Sequence, residues 1–170
     1  MENDSKYLDK QYMVLVEDIL DNGKFSKMEE IVHHGLDRKS HSLRVSYYSY
    51  KVCKALKLNY KSAARAGLLH DFFFENNQES SISKRVNTLI NHPKYALKNA
   101  NDIFDLSELE KDIIVSHMFP ISIKPPKYME GWVVNLVDDA VAIAEFGYKA
   151  RNKLSYVINF ALIFMIAYFK

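Results

Sequence analysis

At 170 residues with 48% apolar content, the chain has material for one domain, residues 1–170, with its own core. Its 23 basic and 21 acidic residues leave a net charge of +2, too weak a basic field for duplex nucleic acid, although a small anionic substrate remains compatible with it. The lone Cys53 excludes a disulfide framework and a cysteine zinc site, and the start MENDSKYLDK is too charged for a signal peptide, so the expected compartment is the cytoplasm.

Five Gly and four Pro in the whole chain, with apolar residues recurring at three and four, predict helices joined by short loops and no sheet. The first helix is expected over residues 7–20, burying Met13, Val14, Val16, Ile19 and Leu20 and ending at Asn22-Gly23. A short second helix over 26–33 leads into the polar HHGLDRKSHS, where His33 and His34 read as solvated or capping groups. From His41 through Val45, Tyr48, Val52 and Leu56 the steps of four, three, four and four trace one helix face. His41 therefore begins a buried stripe. The next helix opens at Tyr60 or Lys61 and carries AARAGLLHDFFF. Its small residues predict deep packing, and Gly67, which costs about 1 kcal/mol relative to Ala, predicts close approach by a neighbouring helix. Burying His70 and Asp71 at its end is costly unless something pairs with them.

After Glu75 the polar NNQESSISKRVN reads as a surface loop with at most a short helix, able to cover a site mouth. Pro suits the first helical position, so His92 before Pro93 is expected at or next to the N-cap of a helix reaching about Phe104. Ser107 and Glu110 have capping-box spacing and open a helix that ends before Pro120, with Leu106, Leu109, Ile113 and His117 on one stripe. The proline-containing MFPISIKPPKYME is expected to be stiff and extended. Residues 132–146 form an apolar helix interrupted by Asp138 and Asp139, whose side chains point about 100° apart, so periodicity leaves open which one faces in. The closing stretch 154–169 is apolar all round except for Ser155 and Asn159. Its length reaches only ~24 Å against the ~30 Å hydrocarbon core of a bilayer, which favours a helix docked in the core or in a dimer interface. Membrane contact is the lesser alternative, suggested by Lys149, Arg151 and Lys153 just before it. The oligomeric state is left open.

His41, His70, Asp71, His92, His117 and one of Asp138 or Asp139 thus stand at helix ends or on buried faces, and four of the six histidines belong to this set. Nitrogen and oxygen donors of this kind suit a divalent transition metal such as Mn, Fe, Co, Ni or Zn. They are too far apart in sequence for a local ligand motif and suit a site assembled from several helices of a bundle.

HSLRV at His41, LLHDFFF at His70 and Asp71, and VVNLVDDA at Asp138 follow one another in the order H, HD, D. In these blocks the chain resembles the HD-domain metal-dependent phosphohydrolase superfamily. The HHG of residues 33–35, NHPKYALKNA and DIIVSHMFPISIKPPKY are similar to a subgroup of small, stand-alone bacterial HD proteins, and the likeness spans about residues 30–146. The resemblance implies an all-α fold, a single helical bundle, with His41, His70, Asp71 and Asp138 holding one metal ion. Asp138 is preferred to Asp139 because the acidic ligand of that subgroup follows an apolar run ending in Val. His92 and His117 resemble the additional ligands of two-metal members, with Asp71 bridging both ions. The implied activity is hydrolysis of a phosphate ester, a nucleotide being the expected class, by metal-activated water. No GYP-type extension of cyclic dinucleotide phosphodiesterases is present, and nothing resembles the synthetase half of stringent-response enzymes.

Arg44, one turn from His41, and Lys94, two residues after His92, are the cations nearest in sequence to these ligands and the expected substrate-binding residues; Lys124 and Lys127 are weaker candidates. Asp71 and Glu75 are the expected catalytic residues, Glu75 as proton donor to the leaving group. The alternative is a catalytically silent HD module that binds metal or nucleotide as a sensor. All six ligand positions carry competent side chains, which favours turnover.

Overall fold

The computed structural model describes residues 9–30, 32–33, 36–74 and 82–168. The chain is all-α: α1 (Lys10–Leu20), α2 (Gly23–Ser26), a 3-10 turn (Lys27–Glu30), α3 (Arg38–Ala55), α4 (Tyr60–Leu69), α5 (Ile82–Asn101), α6 (Glu108–Ser116) and α7 (Met129–Tyr168). Where a second helix over 26–33 and no sheet were expected, α2 ends at Ser26 and a two-residue antiparallel ladder joins β1 (Val32–His33) to β2 (Leu36–Asp37). The ladder turns the chain so that Asp37 caps α3, accepting from the Ser40 amide at 2.7 Å and the Ser40 hydroxyl at 2.8 Å.

The α3–α4 pair forms the centre of the bundle. A Cβ on Gly67 would lie 3.0 Å from Ser46 Cα, so the two backbones meet where only hydrogen fits. Ser46 Oγ donates to Ala64 O at 2.6 Å and accepts from the Tyr12 hydroxyl at 2.8 Å, which ties α1 to the same crossing. This geometry revises the expected buried faces. On α1 the inward residues are Tyr12, Val16 and Ile19, while Val14 is 67% exposed, because it lies about 200° around the helix from Tyr12. On α3, Val52 and Leu56 face outward and Ser42, Val45, Ser46, Ser49, Tyr50 and Cys53 are buried. Small serines let α4 approach, so hydrophobicity alone misplaces the face. The helix closes with Leu58 N donating to Cys53 O at 2.9 Å and Lys57 at φ 58°, a Schellman ending.

Two further expectations are corrected. Helix α5 does not begin at His92 but runs through Pro93, from Ile82, and α7 is one continuous 40-residue helix, about 60 Å long, where two helices separated near residue 150 were expected. Gly147 interrupts it with only about a 1 kcal/mol penalty, and no proline stands there to break it. The side chains of 149–168 lie outside the described residues, and with them the question of core, interface or membrane. Among the described residues no helix is long and apolar enough to cross a membrane. Helix α7 packs along α3 and also touches α4 and α6, while α5 packs on α6, and α3, α5, α6 and α7 all contact α4.

Candidate metal centre

Each functional side chain leaves its helix at a position the local sequence dictates. His41 lies in the first turn of α3, His70 caps the C-terminus of α4 with Asp71 next to it, His117 caps the C-terminus of α6, His92 lies within α5, and Asp138 points in from α7. Three of the histidines share one device. His70 Nδ1 lies 2.8 Å from Gly67 O, His92 Nδ1 2.9 Å from Leu89 O, and His117 Nδ1 2.8 Å from Ile114 O. A carbonyl only accepts, so each Nδ1 carries the proton, and each Nε2 is left to face inward with its lone pair. At His70 and His117 the bond also satisfies a C-terminal carbonyl that no helical amide reaches. At His92 it explains why α5 continues: Pro93 has no N–H for the carbonyl of Leu89, four residues back, and the imidazole supplies the missing donor.

The Nε2 atoms gather around Asp71. Asp71 Oδ2 lies 3.8 Å from His70 Nε2, and Asp71 Oδ1 lies 3.1 Å from His92 Nε2 and 3.7 Å from His117 Nε2. His92 Nε2 and His117 Nε2 are 3.0 Å apart. On the other side His41 Nε2 lies 2.9 Å and His70 Nε2 3.6 Å from Asp138 Oδ1. Three overlapping groups of donor atoms result, each within 4.8 Å: His41, His70 and Asp71; His70, His117 and Asp138; and Asp71, His92 and His117. Among the described residues His70 Nε2 and Asp71 Oδ1 are buried without a hydrogen-bond partner. Acceptor atoms crowded together in this way are unfavourable unless a cation lies among them. Nitrogen and carboxylate donors at this density fit a divalent transition metal.

The walls are anchored as well. The Arg38 guanidinium, itself buried, donates to Phe73 O at 2.6 Å and lies 3.9 Å over the Phe73 ring. Phe73 stacks on His92 at 4.9 Å and 30°. Asn99 donates to Phe72 O at 3.1 Å, so the chain leaving Asp71 is held at successive carbonyls. Asn135 of α7 donates to His117 O and, at 2.8 Å, to Phe119 O.

His41 is held differently from the other three. Its Nε2 meets Asp138, and its Nδ1 lies 3.0 Å from Glu145 Oε2, whose other oxygen accepts from Arg44 Nη1 at 2.8 Å. Burial disfavours the charged ring, but the hydrogen bonds from Asp138 and Glu145 outweigh it and push His41 up to about 10. His117 moves the opposite way, burial and the neighbouring His70 taking it down to about 4. Burial would raise both Asp71 and Asp138. At Asp71 the adjacent His70, with His92 and His117 beyond it, outweighs burial and holds the carboxyl well below the carboxylate range, and at Asp138 the His70 ring and the His41 hydrogen bond lower it. Asp139 is exposed, and burial together with the Asp138 charge raises it.

The structure brings His41, His70, Asp71, His92, His117 and Asp138 together. The two expected substrate cations are placed differently from each other, Arg44 directly behind His41 and Lys94 away from the cluster. Arg44 is engaged with Glu145, and Lys94 sits on the outer side of α5 beside Leu97, Lys98, Asn101 and Lys111, because two residues beyond His92 is about 200° around the helix. Lys124 lies 3.8 Å from Asp112 Oδ1, and the Lys127 amide donates to Asp112 Oδ2 at 2.8 Å. Glu75, His34 and the His33 side chain fall outside the described residues. Glu145, Asn135 and Arg38 were not singled out from the sequence. For the first two a signal exists, since Glu145 lies two helical turns after Asp138 and Asn135 about one turn before it, on the same side of α7.

The HD domain family matches residues 38–159, a span that contains all six of the gathered residues as well as Glu145. No curated protein and no solved structure matches the chain. With the family match covering well over half of the sequence and the H, HD and D blocks meeting at one point in space, the chain belongs to the HD-domain metal-dependent phosphohydrolase superfamily.

Proposed function

We propose that the chain is a hydrolase of small phosphate esters, with a nucleotide as substrate, using two divalent ions. His41, His70, Asp71 and Asp138 hold one ion; Asp71, His92 and His117 hold the other. The observation that carries this reading is Asp71, whose Oδ2 is directed at His70 and whose buried Oδ1, without a hydrogen-bond partner among the described residues, is directed at His92 and His117. A carboxylate with one oxygen toward each donor group is suited to bridging. Bound there, divalent cations supply Lewis acidity to phosphoryl oxygens and acidify water for attack on phosphorus.

The chain's own residues do the rest. Asp71 and Asp138 offset the positive charge, and the three carbonyl-anchored imidazoles keep their lone pairs directed inward before anything binds, which avoids reorganisation. Asp71 retains 22% side-chain exposure and Asp138 14%, so the centre is reachable from solvent on that side. The buried free thiol of Cys53 suits a reducing compartment, the cytoplasm.

The test is metal analysis of protein purified without chelator, followed by a screen of nucleotide mono-, di- and cyclic phosphates with Mn, Co and Ni. Bound metal with turnover of at least one phosphate ester is the expected result. Bound metal with no turnover of any ester would favour a silent sensor module, and protein that takes up no metal would overturn the reading altogether.

A further inference from the structure

The four inward-facing imidazoles are not equivalent. His70, His92 and His117 each rest their Nδ1 on a neutral carbonyl of their own helix. His41 rests its Nδ1 on the carboxylate of Glu145, which comes from a different helix, and Arg44, one turn along α3 from His41, closes on the far oxygen of that carboxylate. A carboxylate behind an imidazole raises its basicity and fixes its ring plane more strongly than a carbonyl does. Arg44 spans the gap to Glu145 and holds the carboxylate in place.

We propose that Glu145, clamped by Arg44, is a positioning residue that makes the ion at His41, His70, Asp71 and Asp138 the more tightly held of the two, so that this half of the centre fills first. The inference rests on the two-ion reading above. It assigns the Arg44–Glu145 pair a task within the centre, and it distinguishes the two halves by what stands behind their histidines. In the half made by Asp71, His92 and His117 the groups behind the rings are, among the described residues, neutral: two carbonyls, and the Phe73 face stacked on His92. That ion should be the weaker and the more readily exchanged.

Cobalt(II) titrated into metal-stripped full-length protein, in competition with a chromophoric chelator, reads the two affinities separately. Wild type should load in two steps of unequal affinity. Glu145→Gln keeps an acceptor for the His41 ring but removes the charge, and should weaken the first step by about 10- to 100-fold while leaving the second within twofold. Arg44→Gln, which leaves every proposed ligand intact, should weaken the same step by a smaller factor. Circular dichroism of both variants checks that the helices persist, and the selectivity for one step is a readout that a loss of general packing would not produce. A first step unchanged in Glu145→Gln, or both steps weakened alike, overturns the inference while leaving two-ion binding intact. Wild type that takes up no cobalt, or only one equivalent, overturns the two-ion reading and this inference with it.

Discussion

An imidazole offers one lone pair, and which nitrogen offers it is decided by what the other nitrogen touches. In this centre three rings spend Nδ1 on a carbonyl three residues back, and the consequence is a set of inward Nε2 atoms that could hold a cation. Asp71 is the residue common to both sides, so Asp71→Ala should abolish bound metal and turnover together, measured by elemental analysis and phosphate release. Its neighbours in α7 offer an internal control. Asp138 bonds His41 at 2.9 Å, whereas Asp139 is exposed; Asp138→Ala should lose metal and Asp139→Ala should retain it. Equal losses would show that the inward and outward assignment of the pair is wrong. His92→Ala combined with His117→Ala should reduce the stoichiometry from about two ions to one and remove most activity, since one Lewis acid remains without its partner. An unchanged stoichiometry in that double variant would leave a mononuclear site.

At the scale of elements, the close crossing of α3 and α4 sets where His41 and His70 stand, with ring centroids 5.6 Å apart. Gly67→Ala gains about 1 kcal/mol of helix propensity, but the new Cβ meets the Ser46 backbone at 3.0 Å and forces the helices apart, a cost of about 1–3 kcal/mol. Net destabilisation of about 1 kcal/mol, read from the urea midpoint, is expected, together with weaker metal retention; a more stable variant would mean the crossing is slack. Gly67 was legible as a close approach because a glycine inside a helix requires a reason. The course of α5 was not legible. Pro93 reads as a helix start because its missing N–H normally goes with a free first turn, and nothing local reveals that the His92 ring replaces the absent donor. The capping box of Ser107 and Glu110, whose partners are all within four residues, was readable and is present at 2.8 and 3.3 Å.

Across the whole molecule, Cys53 reports on the core into which α3 and α4 pack. Burial, with the Glu130 charge adding to it, pushes its thiol from 9.0 up to about 12. A thiol held protonated in the folded state contributes stability that is complete below pH 9 and is lost as pH rises toward 12, because there the unfolded chain ionises first. At pH 8 the native protein should react with a thiol-specific disulfide reagent about a thousandfold more slowly than the urea-unfolded chain; equally rapid labelling of both would show that the core is open at this point. The same scale separates what each level of description decides. The H, HD, D order, the side chains that gather at one point and the all-helical class were present in the sequence itself, because they depend on residue chemistry and on periodicities of three and four. So was His41 as the start of an inward stripe, although that stripe turns outward by Val52 and Leu56. Only the tertiary structure chose Asp138 for the interior by geometry, bound Arg44 to Glu145, sent Lys94 to the far side of α5 and placed Glu145 behind His41. Those outcomes depend on the rotation of one helix against another, and a difference of 100° per residue is settled by interhelical packing that no single segment contains.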